Sequence, residues 1–233
     1  MSLGLAIVGY GKMGRLIEQL APAHGFDVRA KFDGSNNAQA QALSHQTLRG
    51  VDVAVDFTAP HAAPENIRRL AVLGVNTVVG TTGWLEQLPS AREAVEQGKT
   101  GLVWAPNFSV GVNLFFQAVT HAAALFAKHS EYEAWGWEIH HSEKKDAPSG
   151  TLKKLAEEMR AAGYARPISL SANRAGAHPG THEIGFDSAV DTITLRHTAR
   201  GRQGFAQGAL QAARWIAGKK GFFEFKEILG ELG

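Results

Sequence analysis

The stretch Ile7-Val-Gly-Tyr-Gly-Lys-Met-Gly-Arg-Leu-Ile17 constrains the fold more than any other part of the chain. Gly9, Gly11 and Gly14 stand in G-x-G-x-x-G spacing. The apolar run Leu3–Val8 precedes them, and Met13, Leu16, Ile17 and Leu20 follow at helical spacing. In a dinucleotide-binding loop the first glycine permits a tight turn, the second lets a pyrophosphate approach the backbone, and the third lets helix and strand pack closely. Amides at the helix start then face the phosphates. The same pattern also serves an ordinary strand–helix turn, so context decides. Asp33 lies at the end of an expected second strand (Val28, Ala30, Phe32), 19 residues beyond Gly14, where a carboxylate would bond a ribose hydroxyl. In isolation it is equally a turn residue before Gly34-Ser35-Asn36. The candidate dinucleotide residues here are Gly9, Tyr10, Gly11, Lys12, Met13, Gly14 and Asp33.

The alternation of strand and helix continues for about a hundred residues. Strands are expected at 51–57, 76–80 and 101–105, with helices ending at Gly74 and spanning 85–97. That order argues for a doubly wound parallel sheet, a Rossmann-like α/β domain. Two further loops fall at strand ends on the same side: Gly80-Thr81-Thr82-Gly83 and Ala105-Pro106-Asn107-Phe108. Ligands bind beyond the carboxyl ends of such strands, so Gly80, Thr81, Thr82 and Ala105, Pro106, Asn107, Phe108 become candidates for the reactive end of the dinucleotide.

The pattern then changes. A long apolar helix is expected over 111–127, a strand over 132–139, a helix marked by Leu152, Leu155, Ala156 and Met159, and strands over 168–173, 183–186 and 192–197. The last two strands have no helix between them, which predicts a mixed or antiparallel sheet and a second domain of α+β type. Helical residues 205–216 follow and can pack back on the first domain.

Composition narrows the function classes. The chain has 233 residues, 44% hydrophobic and 20% charged, with a formal net charge of +2 and no clustered basic stripe, so no nucleic-acid partner is expected. It has no cysteine, which removes thiolate zinc sites and cysteine nucleophiles. No apolar run reaches the length of a membrane span, and the N-terminal run reads as a buried strand rather than a signal peptide. No membrane is expected, and the cytoplasm is the expected location.

The most concentrated chemistry lies in Trp137-Glu-Ile-His-His-Ser-Glu-Lys-Lys-Asp-Ala-Pro-Ser-Gly-Thr151. If His140 and His141 share a strand they point to opposite faces, which argues against joint metal ligation. His178, His182 and His197 offer other ring nitrogens, but without an H-x-x-x-H helix no metal is expected. Lys144 and Lys145 disfavour a charged histidine nearby, so His140 is poised to exchange a proton near neutral pH. Pro148 breaks the chain, and Ser149 or Thr151 is a good N-cap for the next helix. Leu152 and Lys154 occupy the capping-box positions, so backbone donors remain for an anion. An acid/base group, a cation and an anion-binding helix start together imply a small carboxylate substrate that exchanges a proton.

This segment resembles the H-H-x-x-K-x-D-A-P-S-G-T motif of the dihydrodipicolinate reductase family, the 4-hydroxy-tetrahydrodipicolinate reductases of lysine biosynthesis. The glycine loop, DFTAP, VVGTTGW, APNFSVGVN, NRAGAHPGTHEIGF and RHTARGRQGFAQGAL follow the family's order, so the resemblance covers essentially the whole chain. It implies a dinucleotide-binding domain over 1–108 and 203–233, and a substrate-binding, tetramerising domain over 109–202. It implies reduction of a cyclic imine dicarboxylate by NADH or NADPH, with His140 as acid/base and Lys144 as the catalytic cation. His141, Lys144, Ser149, Gly150 and Thr151 would hold the substrate carboxylates, with Arg202 near the site. The sequence departs from the family in Ser142, where many members carry Arg, in Lys145, commonly apolar, and in the length of the glycine loop.

Asp33 followed by Gly34, where many members offer Arg, favours NADH over NADPH modestly; Lys31, Ser35 and Asn36 blunt that preference. Two other readings share some features. A different two-domain nicotinamide-dependent dehydrogenase explains the fold and Asp33 without needing the His140–Lys144 segment. A non-catalytic dinucleotide sensor would keep the glycine loop and could lose that segment.

Overall fold

In the computed structural model, which describes residues 2–232, Leu3–Val8 (β1) is buried at every position from Gly4 onward. Val53–Asp56 (β3) and Asn76–Val79 (β4) are likewise buried throughout, as expected for strands with helices on both faces. Phe26–Phe32 (β2) alternates buried and exposed residues at a sheet edge. Between these strands run Lys12–Leu20 (α1), Ala63–Val72 (α2) and Leu88–Gly98 (α3), and Gly101–Trp104 (β5) follows. The expected 85–97 helix is in fact a short 3₁₀ turn, Leu85–Gln87, and then α3, because Pro89 suits the first turn of a helix and not its interior.

The six-stranded sheet has the order β10-β5-β4-β3-β1-β2, every pair parallel. Its last strand, Gly221–Glu224 (β10), is absent from the sequence-based expectations. The strand order reverses at β1, with β2 on one side and β3 on the other, which places the switch point beside the glycine loop. Gly9 has φ 96°, and a Cβ there would stand 2.2 Å from the Phe57 carbonyl oxygen; at Gly14 it would stand 2.4 Å from the carbonyl oxygen of Gly9. Both glycines are therefore required by backbone packing. Gly11 faces open space.

The chain divides into two units: Met1–Val110 with Gln203–Gly233, and Gly111–Arg202. In the first, Gln203–Ile216 (α6) buries Ala206, Ala209, Leu210, Ala212, Ala213 and Ile216 in the same core as Ile7, Val55 and Val78. In the second, a four-stranded sheet has the order β7-β6-β8-β9. Glu133–His140 (β6) pairs parallel with Ile168–Arg174 (β7) and antiparallel with Thr181–Asp187 (β8), which pairs antiparallel with Thr192–Thr198 (β9). The sheet is mixed, as the spacing predicts.

Val110–Phe126 (α4) and Gly150–Ala161 (α5) supply Phe115, Val119, Leu152, Leu155 and Met159 to the core of that unit, against Ile184 and Phe186. Along β6 the buried residues are Ala134, Gly136, Glu138 and His140. The period-two alternation thus puts a carboxylate and an imidazole on the face that the hydrophobic residues also share.

Candidate active site

At the switch point of the parallel sheet, a cavity of about 410 Å³ is lined by Gly9, Tyr10, Gly11, Phe32, Asp33, Asn37, Thr58, His61 and Asn66 among others. It joins the ends of β1, β2 and β3, and collects part of the expected dinucleotide set: Gly9, Tyr10, Gly11 and Asp33. Asn37, Thr58, His61 and Asn66 were not anticipated.

The Asp33 carboxylate accepts hydrogen bonds from the Ser35 amide (2.8 Å) and hydroxyl (2.5 Å), and the Ser35 hydroxyl above all holds its pKa below the ordinary value. Asn36 is also engaged: its Oδ1 accepts from the Asp33 amide at 2.7 Å and its Nδ2 donates to the Lys31 carbonyl at 3.3 Å. Lys31 turns to Glu18 (2.9 Å) and lies 4.8 Å over the Tyr10 ring, while the Tyr10 hydroxyl donates to Glu18. The three groups expected to favour a ribose phosphate are therefore occupied within the chain.

Several loop residues offer a ligand less than their position suggests. Thr81 is buried; its hydroxyl donates to Asp56 at 2.7 Å and accepts from the Thr58 amide at 2.7 Å. Phe108 points into the core against Phe225, and the Ala105 side chain is buried. The Met13 side chain packs on the core as well. Thr81, Ala105 and Phe108 can present backbone but not side-chain groups, because the ends of the strands are closed by their own side chains. Gly80 sits on the Phe57 ring, where a Cβ would come within 2.1 Å. Thr82, Pro106 and Lys12 are exposed.

Asp56, which closes the end of β3, is fully buried. It accepts from the Thr58 hydroxyl and amide (2.7 and 3.0 Å), Thr81 and Asn66 Nδ2 (2.8 Å). Burial raises its pKa, and the Thr58, Thr81 and Asn66 bonds offset that only in part.

In the second unit the His140 segment is built around Glu138, which is also fully buried. Its carboxylate accepts from the Ser149 amide (2.8 Å), the Ser149 hydroxyl and Arg174 Nη2 (2.8 Å), and lies 3.2 Å from His182 Nε2. Burial works to raise the Glu138 pKa; Ser149 and Arg174 outweigh it, and the carboxyl sits below its ordinary range. His140 ends β6, is buried, and holds its Nδ1 3.7 Å from Glu138 Oε2. Its pKa is lowered, chiefly by burial; Glu138 pulls it up, and Lys144 and Arg174 push it down. Lys144 acts in the expected direction, but burial is the larger cause. His182 is lowered further, again by burial first and then by His140.

The remaining candidates fall around this cluster. His141 lies in the turn after β6, where the Lys144 amide donates to its carbonyl at 3.1 Å. Lys144 Nζ donates to Asp146 at 2.7 Å. Ser149 is the N-cap of α5: its hydroxyl accepts from the Leu152 amide at 3.2 Å while donating to Glu138. The Ser149 hydroxyl is thus engaged within the fold as both acceptor and donor. Gly150 is exposed and faces open space, and Thr151 is half-buried beside it. The Asp146 carboxyl is held below its ordinary pKa, first by Lys144 and in smaller part by the Gly150 amide. Arg202 is exposed in the bend before α6, and the arginine on the cluster is Arg174. Ser142, at the family's arginine position, bonds the Gly176 carbonyl through its amide at 3.0 Å.

Of the other histidines, His178 Nδ1 accepts from the Gly180 amide at 3.4 Å and His197 packs on the Phe115 ring. Glu138, His140 and His182 place ligand-type atoms within 4.8 Å of one another. The Arg174 guanidinium already bonds that carboxylate, so a metal ion there would face a fixed positive charge.

Glu138 was legible in principle, being two residues before His140 on an alternating strand. Arg174 and His182 are cross-strand partners, His140 with Arg174 and Glu138 with His182, and only the register brings them together.

A Rossmann-like parallel sheet with a cavity at its switch point, followed by a mixed-sheet unit carrying a histidine–carboxylate cluster, is the architecture of a two-unit dinucleotide-dependent oxidoreductase. The chain belongs to the dihydrodipicolinate reductase family: the model of that family's N-terminus matches residues 3–108 and that of its C-terminus residues 111–229. It is 34% identical to a 4-hydroxy-tetrahydrodipicolinate reductase of Christiangramia forsetii, over 99% of each chain. A Methanoregula boonei protein of the same name is also 34% identical, over 94% of this chain and 92% of its own. Among solved structures, a dipicolinate-bound dihydrodipicolinate reductase from Paenisporosarcina sp. TG-14 superposes with a TM-score of 0.83 at 25% identity, covering 98% of this chain and all of that one. No helix among the described residues is long and apolar enough to cross a membrane.

Proposed function

We propose that the chain reduces 4-hydroxy-tetrahydrodipicolinate to tetrahydrodipicolinate, in the diaminopimelate and lysine pathway, using a reduced nicotinamide dinucleotide. The substrate loses its hydroxyl as water and takes up one hydride from the nicotinamide and one proton. The observation that carries the reading is the His140–Thr151 segment: a buried imidazole with a lowered pKa, a lysine, and an exposed helix start follow one another in the family's own motif. His140 is the proton carrier. Lys144 supplies positive charge and, with the amides of Gly150 and Thr151, receives a substrate carboxylate in place of Asp146. His141 and Arg202 contribute further donors to the second carboxylate.

The dinucleotide lies in the cavity at the switch point, with its pyrophosphate over Gly11 and a ribose diol on Asp33. Lys12, Met13 and Gly14 present the amides of the α1 start, and the Gly80–Thr82 and Ala105–Phe108 loops present backbone to the nicotinamide. NADH is preferred modestly over NADPH, since Asp33 is ionised and Lys31, Ser35 and Asn36 are already bonded. We propose further that the protein is cytoplasmic and assembles as a homotetramer through its mixed sheet, on which Ile193 of β9 is 45% exposed. Light scattering of the purified protein reads that assembly.

The decisive assay mixes the protein with the condensation product of pyruvate and aspartate semialdehyde and follows reduced-nicotinamide absorbance. No oxidation of either cofactor removes the reading. Dipicolinate, which the Paenisporosarcina protein binds, is expected to compete with substrate; purely non-competitive inhibition would place the anion site elsewhere.

A further inference from the structure

We infer that Glu138 is a positioning residue for proton transfer at His140: its carboxylate receives the Nδ1–H of that ring and leaves Nε2 to exchange protons with substrate. The inference rests on His140 being the proton carrier proposed above and names what directs it.

Three observations converge. The first is the Nδ1 of His140, a buried polar atom with no hydrogen-bond partner. A buried ring nitrogen in that condition is costly and calls for an occasional partner. The second is the place of the Glu138 carboxylate, with Oε2 3.7 Å from that nitrogen. Hydrogen bonds of this type span about 2.7–3.2 Å, so closing the gap takes about half an ångström to one ångström.

Glu138 itself is held from three sides, by Ser149 at the start of α5, Arg174 at the end of β7 and His182 on β8. The imidazole is therefore the mobile partner and the carboxylate the fixed one. The third observation lies on the other edge of the ring. A Cβ at Gly180 would stand 2.9 Å from His140 Nε2 and 3.0 Å from Cδ2, in a backbone with φ 131°. Any side chain there would crowd the second nitrogen, and the glycine keeps it clear.

Charge at His140 comes from every neighbouring element. Glu138 on its own strand and Asp146 in the following turn favour the imidazolium; Lys144 in that turn and Arg174 on β7 disfavour it. On β8, His182 competes for the same Oε2 at 3.2 Å and has His197 of β9 as its own neighbour. Both histidines cannot readily be charged at once beside one carboxylate, so at most one of the two rings carries a charge. The step balances simply. Charged His140 gives the Nε2 proton to the substrate as the hydride arrives from the dinucleotide, and it returns to the neutral ring with the remaining proton on Nδ1. Glu138 accepts a hydrogen bond throughout and takes no proton.

The test combines Glu138→Gln with imidazole nitrogen NMR of the ligand-free protein, with His140 signals assigned by their loss in His140→Gln. In the wild type, neutral His140 is expected to carry its proton on Nδ1. In Glu138→Gln the His140 titration moves to lower pH. The pH profile of kcat moves with it, kcat at neutral pH falls about 10²-fold, at the lower end of what a positioned acid/base group contributes, and KM changes little. A purely structural Glu138 would lower the melting temperature and leave both titration and profile in place.

A His140 titration unmoved by the substitution overturns the inference whatever the activity. A moved titration with an unmoved rate profile supports the hold of Glu138 on His140 and instead removes His140 from the proposed reaction. If Glu138→Gln does not fold, the wild-type spectrum alone decides: an Nε2-protonated neutral ring overturns the inference, and an Nδ1-protonated one supports it.

Discussion

Asp56 and Glu138 are the same chemical group, each fully buried at or near the end of a strand, and they behave in opposite ways. Asp56 is surrounded by neutral donors, two threonines and an asparagine, and burial drives its pKa up. Glu138 meets an arginine and a serine cap and lies beside two histidines, and its pKa is driven down. Burial alone therefore does not decide whether a carboxylate carries charge; the donors that meet it do, at Glu138 the Ser149 hydroxyl first and the Arg174 guanidinium next. The two sites also differ in what they hold. Asp56 ties the β3 loop to the β4 loop through Thr58 and Thr81, fixing backbone beside the cavity at the switch point. Glu138 is joined to titratable rings, and its environment changes when a proton moves.

The sharpest way to break this contrast is to disable the chemistry beside each carboxylate. His140→Gln and Lys144→Ala are each expected to lower kcat by about 10²–10⁴-fold with dinucleotide affinity unchanged. Asp56→Asn should instead weaken dinucleotide binding and leave kcat at saturation nearly intact. Steady-state kinetics and cofactor titration of the three variants read the difference, and near wild-type turnover in both of the first two would sink the assignment. Stability comes next. Glu138→Ala strands the Arg174 guanidinium and should cost about 3–5 kcal/mol in denaturant unfolding. Asp56→Asn removes an acceptor from neutral donors and should cost about 1–3 kcal/mol. Equal costs would mean the charged partners add nothing.

The pH dependence separates the two by sign. His140 and His182 have folded pKa values below the ordinary 6.5, so below that pH the unfolded chain binds protons the folded one refuses, and stability falls as pH falls. Glu138 adds to this trend: its stabilisation is complete above the ordinary 4.5 and is lost as pH falls through its lowered folded value. Asp56 runs the other way, because the folded state takes its proton first and gains from acidification as pH falls toward the ordinary 3.8. Melting temperature measured from neutral to acid pH should therefore fall less steeply in His182→Asn and more steeply in Asp56→Asn. A fourth and smallest effect concerns a carboxylate that is not buried in this way. Asp33→Ala should shift the ratio of catalytic efficiencies toward NADPH, and Glu18→Gln should shift it the same way by releasing Lys31. An unchanged ratio in Asp33→Ala would remove Asp33 as the ribose reader.

The fold was largely legible because its signals are local. Strand and helix periods at 3–104, the period-two run of β6 and the apolar stripe of α5 each follow from spacing alone. β10 was not: it has four residues, all half-buried, directly after two lysines, and it is a strand only because β5 leaves an edge open. The site divides in the same manner. His140, Lys144 and the start of α5 lie within one short segment and could be read together. Arg174 and His182 reach Glu138 through pairing register, which depends on the whole sheet. Inward and outward turns of loop residues were equally hidden. Ser149, Thr81 and Phe108 look like ligand contacts by position, yet each completes the protein's own bonding or packing.

The return of α6 and β10 to the first unit sets an order on synthesis. When residue 202 leaves the ribosome, the second unit has every strand of its sheet, but the first still lacks the helix that buries Ala209, Leu210 and Ile216 against Ile7 and Val78. Its parallel sheet also still exposes the β5 edge that β10 later covers. The part of the chain made first is thus the last to close, and until then it presents an apolar face and an unpaired strand, the two features that recruit chaperones or draw nascent chains into aggregates.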